Sequence, residues 1–287
     1  MQHFGCSFYT RVCSILEAYT VAWELENIAL IDYFSVNCLF TCYSRQYGTA
    51  VLKVCQAASG SAEIRALLEY GGSSFCTLFA SNMEDGVLLE EAILPGTQLR
   101  AVASMEKRVD IFLSLHTKLH IQPKEPEMFT TYSQWVEDAA SFIATQDEHR
   151  TLCHYMEEAR AMYRALRRTY NRDLLLHGDF HHDNILLDKG GAYKIIDPKG
   201  VVGDPIFDLP RFILNENDYH EAYTVDENRR HVASAIALIG SRTGLPLHDI
   251  RQAFFVEMAL ANCWGVNGGG TPDLESVAMA YGMVMDS

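Results

Sequence analysis

The sequence lacks an excess of basic residues and any apolar run of membrane-spanning length. Its 287 residues include 37 acidic but only 23 basic side chains, which gives a formal net charge of −14. Without a net positive field the chain cannot displace the counterions of nucleic-acid phosphates, so we expect no nucleic-acid partner. A transmembrane helix needs about 20 apolar residues in a row, so we expect no membrane partner either. The acidic excess suits a cationic small molecule and equally favours solubility.

Paired cysteines are also missing. None of the eight cysteines forms a C-x-x-C pair, which argues against a zinc site, and reduced thiols are the expected state. Glu17, Glu24 and Glu26 interrupt the N-terminal segment, which therefore predicts no signal peptide. We expect a cytoplasmic protein, either a monomer or a homodimer. A composition of 48% hydrophobic and 21% charged residues is ordinary for a folded globular chain.

The first 93 residues have the pattern of a small antiparallel sheet with one helix. Short segments rich in β-branched and aromatic residues alternate with turns. Ser61 is a typical N-cap, and Gly71-Gly72 ends the helix that Ser61 begins. The predicted strands cover residues 28–34, 38–43, 50–55, 75–79 and 87–91, and the predicted helix covers residues 62–70.

After Leu94-Pro95-Gly96 the pattern changes to that of helices. Apolar residues recur at intervals of three and four, as on the buried face of an amphipathic helix. The predicted helices cover residues 99–120, 132–145, 147–170, 226–241 and 247–264. The sequence thus predicts an α+β protein with two lobes, a β-rich lobe at residues 1–93 and a larger, mainly helical lobe at residues 94–287.

The segment from His177 to Asn184, with the Asp197 that follows, is the most informative part of the chain. Asp179 and Asn184 are five residues apart, and a predicted hairpin at residues 185–196 brings Asp197 back towards them. Phosphoryl transfer from ATP uses a carboxylate to take the proton of the attacking hydroxyl, and an amide and a second carboxylate to bind Mg²⁺. Catalytic loops of kinases have the same Asp-x-x-x-x-Asn spacing and downstream Asp. We predict Asp179 as the catalytic base, Asn184 and Asp197 as metal ligands, and His177 as a brace of the loop.

Lys53 is the only lysine among the first 93 residues, and it lies within an apolar strand. Burying a lysine is costly unless a charge partner is present, and Glu63 on the following predicted helix can supply one. In kinases such a pair grips the α- and β-phosphates of ATP, and we predict that role here. We also expect main-chain groups of Glu91 and Ile93, at the lobe junction, to contact the adenine edge. The first lobe is therefore predicted to bind the nucleotide, and the second to carry the base and the substrate.

Three groups of residues resemble the aminoglycoside phosphotransferase superfamily: 177–184, Asp197-Pro198-Lys199-Gly200, and Gly203-Asp204-Pro205 with the Asp208-Leu209 beyond it. They are most similar to the streptomycin 6-kinase and hydroxyurea phosphotransferase branch. The resemblance implies a protein-kinase-like two-lobe fold, with ATP and Mg²⁺ as cofactors. It also implies that Asp208 supports the catalytic loop.

Two further expectations come from the resemblance. The Gly-rich loop that covers the phosphates in protein kinases is absent, so the small residues Ser35 and Asn37 are expected to take its place. A cationic antibiotic is expected to be received by acidic residues of the second lobe. By composition alone the candidates are Glu216, Asp218, Glu221, Asp226 and Glu227, although a solvated acidic face explains most of them equally well.

The leading hypothesis is an ATP-dependent kinase that phosphorylates a hydroxyl group of an aminoglycoside such as streptomycin and gives antibiotic resistance. A second hypothesis is a housekeeping kinase of the same fold, acting on a sugar, a choline-like amine or a nucleoside. A third is a nucleotide-binding scaffold without turnover. A fourth is a metal-dependent phosphohydrolase that uses His181, His182 and Asp183, which requires further ligands from elsewhere in the chain.

Overall fold

The computed structural model describes residues 6–31, 37–55, 57–72, 74–217 and 224–286. The chain divides into two units, each described by itself below. Unit 1 consists of Met1–Thr97 and Ile185–Lys199, and unit 2 consists of Gln98–Asn184 and Gly200–Ser287. The division predicted from the sequence ends the first lobe slightly earlier, at residue 93, and assigns the segment Ile185–Lys199 to the second lobe.

Unit 1 contains a five-stranded antiparallel sheet. Its strands are β1 (Leu25–Leu30), β2 (Cys38–Ser44), β3 (Gly48–Val54), β4 (Leu78–Asn82) and β5 (Val87–Glu91). They lie in the order β1-β2-β3-β5-β4. Side chains alternate between the two faces of each strand. Phe40 and its cross-strand partner Leu52 therefore lie on one face, and Lys53 lies on the other.

Two helices belong to unit 1. Helix α1 (Cys6–Ala22) covers the apolar face of the sheet, where Val12 and Ile15 pack in one cluster with the buried strand residues. Helix α2 (Ala57–Tyr70) carries Glu63. Helix α1 adds a second helix to the one that the sequence predicted. Its apolar residues recur at helical intervals, but no other sequence signal marks the segment.

A second sheet explains why the segment Ile185–Lys199 belongs to unit 1. The strands β6 (Pro95–Gln98), β9 (Ile185–Asp188) and β10 (Tyr193–Ile195) lie in the order β10-β9-β6. Strands β9 and β10 form the hairpin predicted from the sequence, with Ile185 opposite Ile195. The main chain of Ile195 also exchanges hydrogen bonds with residues 74 and 76. These main-chain bonds are long-range in sequence, so local pattern did not reveal them.

Unit 2 is mainly helical, as predicted. Its helices are α3 (Met105–Leu119), α4 (Tyr132–Ile143), α5 (Arg150–Leu166), α6 (Leu209–Asn217), α7 (Val225–Thr243), α8 (Leu247–Asn267) and α9 (Leu274–Met285). The sequence did not predict α6 and α9. Helix α3 begins later than predicted because the hydroxyl of Ser104 caps it by accepting a hydrogen bond from the N–H of Lys107. None of the helices in the described ranges is long and apolar enough to cross a membrane.

Two features of unit 2 position functional residues. Helix α8 packs against several other helices and is buried around most of its circumference, which is typical of a central helix. A small sheet contains β7 (Thr130–Thr131), β8 (Leu174–Leu176) and β11 (Val201–Gly203), with β8 and β11 antiparallel. The segment 177–184 directly follows β8, so this sheet fixes the point at which the segment begins.

Candidate active site

Asp208 holds the first residues of the segment 177–184. It lies directly before α6 and is only 1% exposed. Its Oδ2 accepts a hydrogen bond from the main-chain N–H of His177, and its Oδ1 accepts one from Gly178, both at 2.8 Å. His120 Nε2 lies 3.0 Å from Oδ2. Burial favours a higher pKa for Asp208, but His120 and the other donors hold the pKa below its ordinary value.

The backbone of Asp179 is fixed on both sides. Gly178 before it has a φ of +78°, a left-handed conformation that favours glycine. The N–H of Asp179 donates to Nδ1 of the fully buried His177 at 3.1 Å. Its C=O accepts from Nδ2 of Asn184 at 2.9 Å. This bond orients the amide of Asn184, because only the nitrogen can donate, and it leaves the amide oxygen as the atom suited to a metal.

Two basic side chains flank the carboxylate of Asp179, which is 22% exposed. Arg211 Nε lies 3.3 Å and His181 Nε2 lies 3.6 Å from its Oδ1. Burial lowers the pKa of His181 to about 4, even though the charge of Asp179 opposes this shift. His181 is therefore neutral at pH 7, and Arg211 supplies a permanent positive charge beside Asp179.

The sequence did not predict Arg211 or Glu257 as site residues. One terminal nitrogen of Arg211 lies 2.6 Å from Oε1 of Glu257, and the hydroxyl of Tyr132 donates to Oε2 at 2.6 Å. Burial raises the pKa of Glu257, while Arg211 opposes that shift. Such a buried carboxylate needs partners of this kind. The available signals were an acidic residue within the apolar run 253–260, and an arginine one helical turn after Asp208.

In unit 1, Lys53 lies between two carboxylates. Its Nζ is 2.8 Å from Oε1 of Glu63 and 2.5 Å from Oδ1 of Asp197. Lys53 and Glu63 are buried. Burial favours a lower pKa for Lys53, but Glu63 and Asp197 raise it well above its ordinary value, so the ammonium stays charged. The structure thus contains the ion pair expected from the sequence, and it adds Asp197 as a third member.

Asp197 also contacts a second lysine. Nζ of Lys199 lies 2.8 Å from Oδ2. Burial favours a higher pKa for Asp197, but Lys53 and Lys199 hold the pKa below its ordinary value. An ionised carboxylate and an amide oxygen are ligand types that Mg²⁺ accepts. Asp197 and Asn184 therefore both fit the predicted metal role by their chemistry.

The residues expected to contact adenine are partly engaged within unit 1. The N–H of Glu91 donates to the carbonyl of Thr77 at 2.8 Å. Its carboxylate accepts from the N–H and the hydroxyl of Thr77, both at 3.0 Å. The main-chain N–H of Glu91 is therefore already engaged within unit 1. Ile93 is buried, as is Asn37, and Ser35 lies outside the described residues.

Glu216 is not available to receive a cationic substrate, which corrects the expectation from composition. It is fully buried, and two nitrogens of Arg108 each lie 2.7 Å from one of its oxygens. His182 and His231 each contact it at 2.8 Å. Burial favours a higher pKa, but His182 and Arg108 lower the pKa of Glu216 to about 2. Of the other acidic candidates, Asp218 and Glu221 lie outside the described residues, Asp226 and Glu227 are exposed, and Glu227 forms a capping box at the start of α7.

The arrangement around His182 and Asp183 does not favour the phosphohydrolase hypothesis. His182 contacts Glu216, and Asp183 accepts two hydrogen bonds from Arg100, at 2.9 and 3.0 Å. Within the described part of the chain, no group of three or more His, Cys, Asp or Glu side chains is placed to hold a metal ion. A magnesium ion held by two protein ligands and by phosphates needs no such cluster.

Comparison with known proteins identifies the family of this chain. Residues 26–244 match the family described as aminoglycoside/hydroxyurea antibiotic resistance kinases, over well more than half of the chain. The chain belongs to this family. By family it is a phosphotransferase with a hydroxyl acceptor, as the sequence predicted.

Two curated relatives are similar to this chain. Streptomycin 6-kinase of Streptomyces griseus is 25% identical over 155 residues, which are 52% of this chain and 49% of that protein. Streptomycin 3''-kinase of Klebsiella pneumoniae is 23% identical over 224 residues, which are 77% of this chain and 81% of that protein. The match thus spans about half the length of the first relative and most of the second.

Solved structures confirm the kinase-like α+β fold. The choline kinase LicA from Streptococcus pneumoniae has a TM-score of 0.64 at 13% identity, covering 96% of this chain and 98% of that chain. A thermostable mutant of aminoglycoside phosphotransferase APH(4)-Ia, in ternary complex with ADP and hygromycin B, has a TM-score of 0.62 at 13% identity, covering 95% and 97%. At this identity the likeness shows the fold alone.

Proposed function

We propose that the protein transfers the terminal phosphoryl group of Mg-ATP to a hydroxyl group of an aminoglycoside of the streptomycin type, and that this gives antibiotic resistance. The observation that carries the proposal is the carboxylate of Asp179, partly exposed on a main chain that His177, Asp208 and Asn184 hold in place. Membership of a kinase family supports the reaction class.

The proposed base is Asp179. It accepts the proton of the substrate hydroxyl as the oxygen forms its bond to phosphorus, and ADP leaves as the bond to the terminal phosphorus breaks. Most of the rate gain in such a transfer comes from positioning and from charge stabilisation. The fixed main chain of Asp179 supports the positioning, and Arg211, 3.3 Å away, places a positive charge beside the carboxylate.

Lys53 and Glu63 are the proposed phosphate-binding pair. The ion pair is buried, so the ammonium group is held in one place before a nucleotide arrives. Asn184 and Asp197 are the proposed ligands of Mg²⁺, which supplies neutralisation of the phosphate charge when bound. In a distant structural relative, APH(4)-Ia, ADP and hygromycin B are bound together. We extend nucleotide binding to this chain as part of the proposal, together with the expected contact of Glu91 and Ile93 with adenine.

The substrate class is proposed from the relatives and from charge. Both curated relatives are named for streptomycin, and the net charge of −14 favours a cationic substrate. Glu216 cannot contribute to recognition of the substrate, because Arg108 and two histidines already contact its carboxylate. A cytoplasmic location is proposed with the ATP requirement, and the seven free cysteines described in the structure agree with a reducing compartment.

The test is release of ADP from Mg-ATP in the presence of streptomycin, other aminoglycosides, hydroxyurea, choline or simple sugars. We expect streptomycin to stimulate release, and mass spectrometry to show one added phosphoryl group on the antibiotic. Asp179→Asn is the control, and it should lower kcat by roughly 10²–10⁴-fold without unfolding the protein. Stimulation by choline or a sugar alone would replace the proposed substrate, and nucleotide binding without any transfer would favour a scaffold.

The resistance part of the proposal has its own test. Expression in a streptomycin-sensitive host should raise the inhibitory concentration of streptomycin, and expression of Asp179→Asn should not. Equal protection by both forms would contradict enzymatic resistance.

A further inference from the structure

The carboxylate of Asp197 is shared by two lysines in unequal positions. Lys53 contacts Oδ1 at 2.5 Å and Lys199 contacts Oδ2 at 2.8 Å, so each oxygen has its own cation. The side chain of Lys53 is 4% exposed, and Glu63 also holds it at 2.8 Å. The side chain of Lys199 is 39% exposed. Lys53 is therefore held by two carboxylates, whereas Lys199 is the more exposed of the two lysines on Asp197.

A divalent cation on Asp197 changes this arrangement. Mg²⁺ held by the carboxylate of Asp197 would compete with the ammonium group of Lys199 for it, since the two cations repel each other. Lys53 is anchored, so Lys199 is the cation that has to move. Phosphate oxygens on the same metal would offer its charge new acceptors, and lysine binds phosphate readily as a compact point charge.

We propose that Lys199 binds the terminal phosphoryl group of the nucleotide and that Asp197 holds it until Mg-nucleotide arrives. The inference rests on the proposed function, because it takes the Mg-nucleotide from there. Lys53 is proposed for the α- and β-phosphates, and a kinase metal bridges the β- and γ-phosphates. Of the phosphates beside a metal on Asp197, the γ-phosphate is thus the one that Lys53 would not contact. It is the group that Lys199 would bind. Lys199 then also stabilises the charge that spreads over the phosphoryl oxygens during transfer.

The test compares Lys199→Ala with Lys199→Arg and with Lys189→Ala. Lys189 is a matched control because it lies exposed in the turn between β9 and β10, in the same segment of unit 1. Equilibrium binding of three probes is measured: Mg-AMP-PNP, Mg-ADP, and Mn²⁺ alone by electron paramagnetic resonance. Thermal denaturation checks that each variant is folded.

For Lys199→Ala we expect Mg-AMP-PNP to bind on the order of ten- to a hundredfold more weakly, as for loss of a contact to a charged group. Binding of Mg-ADP should change by less than about threefold, and Mn²⁺ alone should bind as tightly or more tightly, because a competing cation has left Asp197. Lys199→Arg should retain part of the AMP-PNP affinity, and Lys189→Ala should match the unmodified protein.

Equal losses for AMP-PNP and ADP, weaker Mn²⁺ binding, or no change for any probe would overturn the role of Lys199. These outcomes are distinct from failure of the proposed function. If the unmodified protein binds neither nucleotide in the presence of Mg²⁺, the proposed function fails. If it binds both but phosphorylates another acceptor, the test of Lys199 is still decisive, because none of its probes involves the acceptor.

Discussion

Replacing Asp208 with alanine should destabilise unit 2 and abolish turnover. Its carboxylate accepts two main-chain hydrogen bonds at 2.8 Å, from His177 and Gly178, and lies 3.0 Å from His120. Alanine leaves these donors facing a buried space without an acceptor. The same two main-chain groups precede Asp179, so the proposed base loses its position when they are released.

The magnitude follows from the count of lost partners. A buried donor left without a partner costs about 1–3 kcal/mol, and breaking a buried charged contact costs about 3–5 kcal/mol. We therefore expect a loss of about 3–5 kcal/mol, equivalent to roughly 10 °C in the melting temperature of a domain of this size. The folded-state pKa of Asp208 is lowered, so its contribution is present at neutral pH and is lost as the pH falls below the ordinary aspartate pKa of about 3.9.

The assay is thermal and urea denaturation at neutral pH, with ADP release measured at a temperature where the variant remains folded. Asp226→Ala is the control, because Asp226 is exposed in the first turn of α7, and it should cost less than about 1 kcal/mol. A loss of under about 1 kcal/mol in Asp208→Ala, or full turnover in the folded variant, would refute the reasoning.

Three further substitutions test other buried charge contacts and other residues of the candidate active site. Arg108→Met removes two 2.7 Å contacts from buried Glu216 and should cost about 3–5 kcal/mol by urea denaturation, whereas a loss near zero would mean that the histidines suffice. Lys53→Ala should weaken Mg-ATP binding by roughly ten- to a hundredfold in calorimetry, because a fixed charge on the phosphates is lost, and unchanged affinity would exclude that role. Glu257→Gln removes the negative charge that balances Arg211 beside the proposed base. We therefore expect kcat to fall roughly tenfold while the KM for ATP stays unchanged. A change in the KM for ATP without a change in kcat would contradict this role of Glu257.

Local signals in the sequence were sufficient for several elements. The hairpin at residues 185–196 was predictable because its turn is rich in glycine and its strands are apolar. The contact between Lys53 and Glu63 was predictable because a lysine within an apolar strand requires a nearby carboxylate. Asp179 and Asn184 were identified from their spacing, although their roles in catalysis stay predictions.

Other features had no local signal. Helix α1 has no sequence signal beyond the spacing of its apolar residues, and strand β6 is too short to show an alternating pattern. The grouping of Ile185–Lys199 with unit 1 depends on pairing with strands far away in the sequence. Glu216 appeared to be one of several acidic surface candidates, because sequence alone does not report burial.

The sequence by itself determined the set of chemical groups and their local order: a proposed base, an amide and a carboxylate around a hairpin, and one lysine within an apolar strand before them. Only the tertiary structure decided which charges far apart in the chain meet. Arg211 and Glu257 are far apart in the chain, and Asp197 receives Lys53 on one oxygen and Lys199 on the other. The physical reason is that hydrogen bonding and capping act between near neighbours, whereas ion pairs form wherever packing buries two charges together and water can no longer screen them.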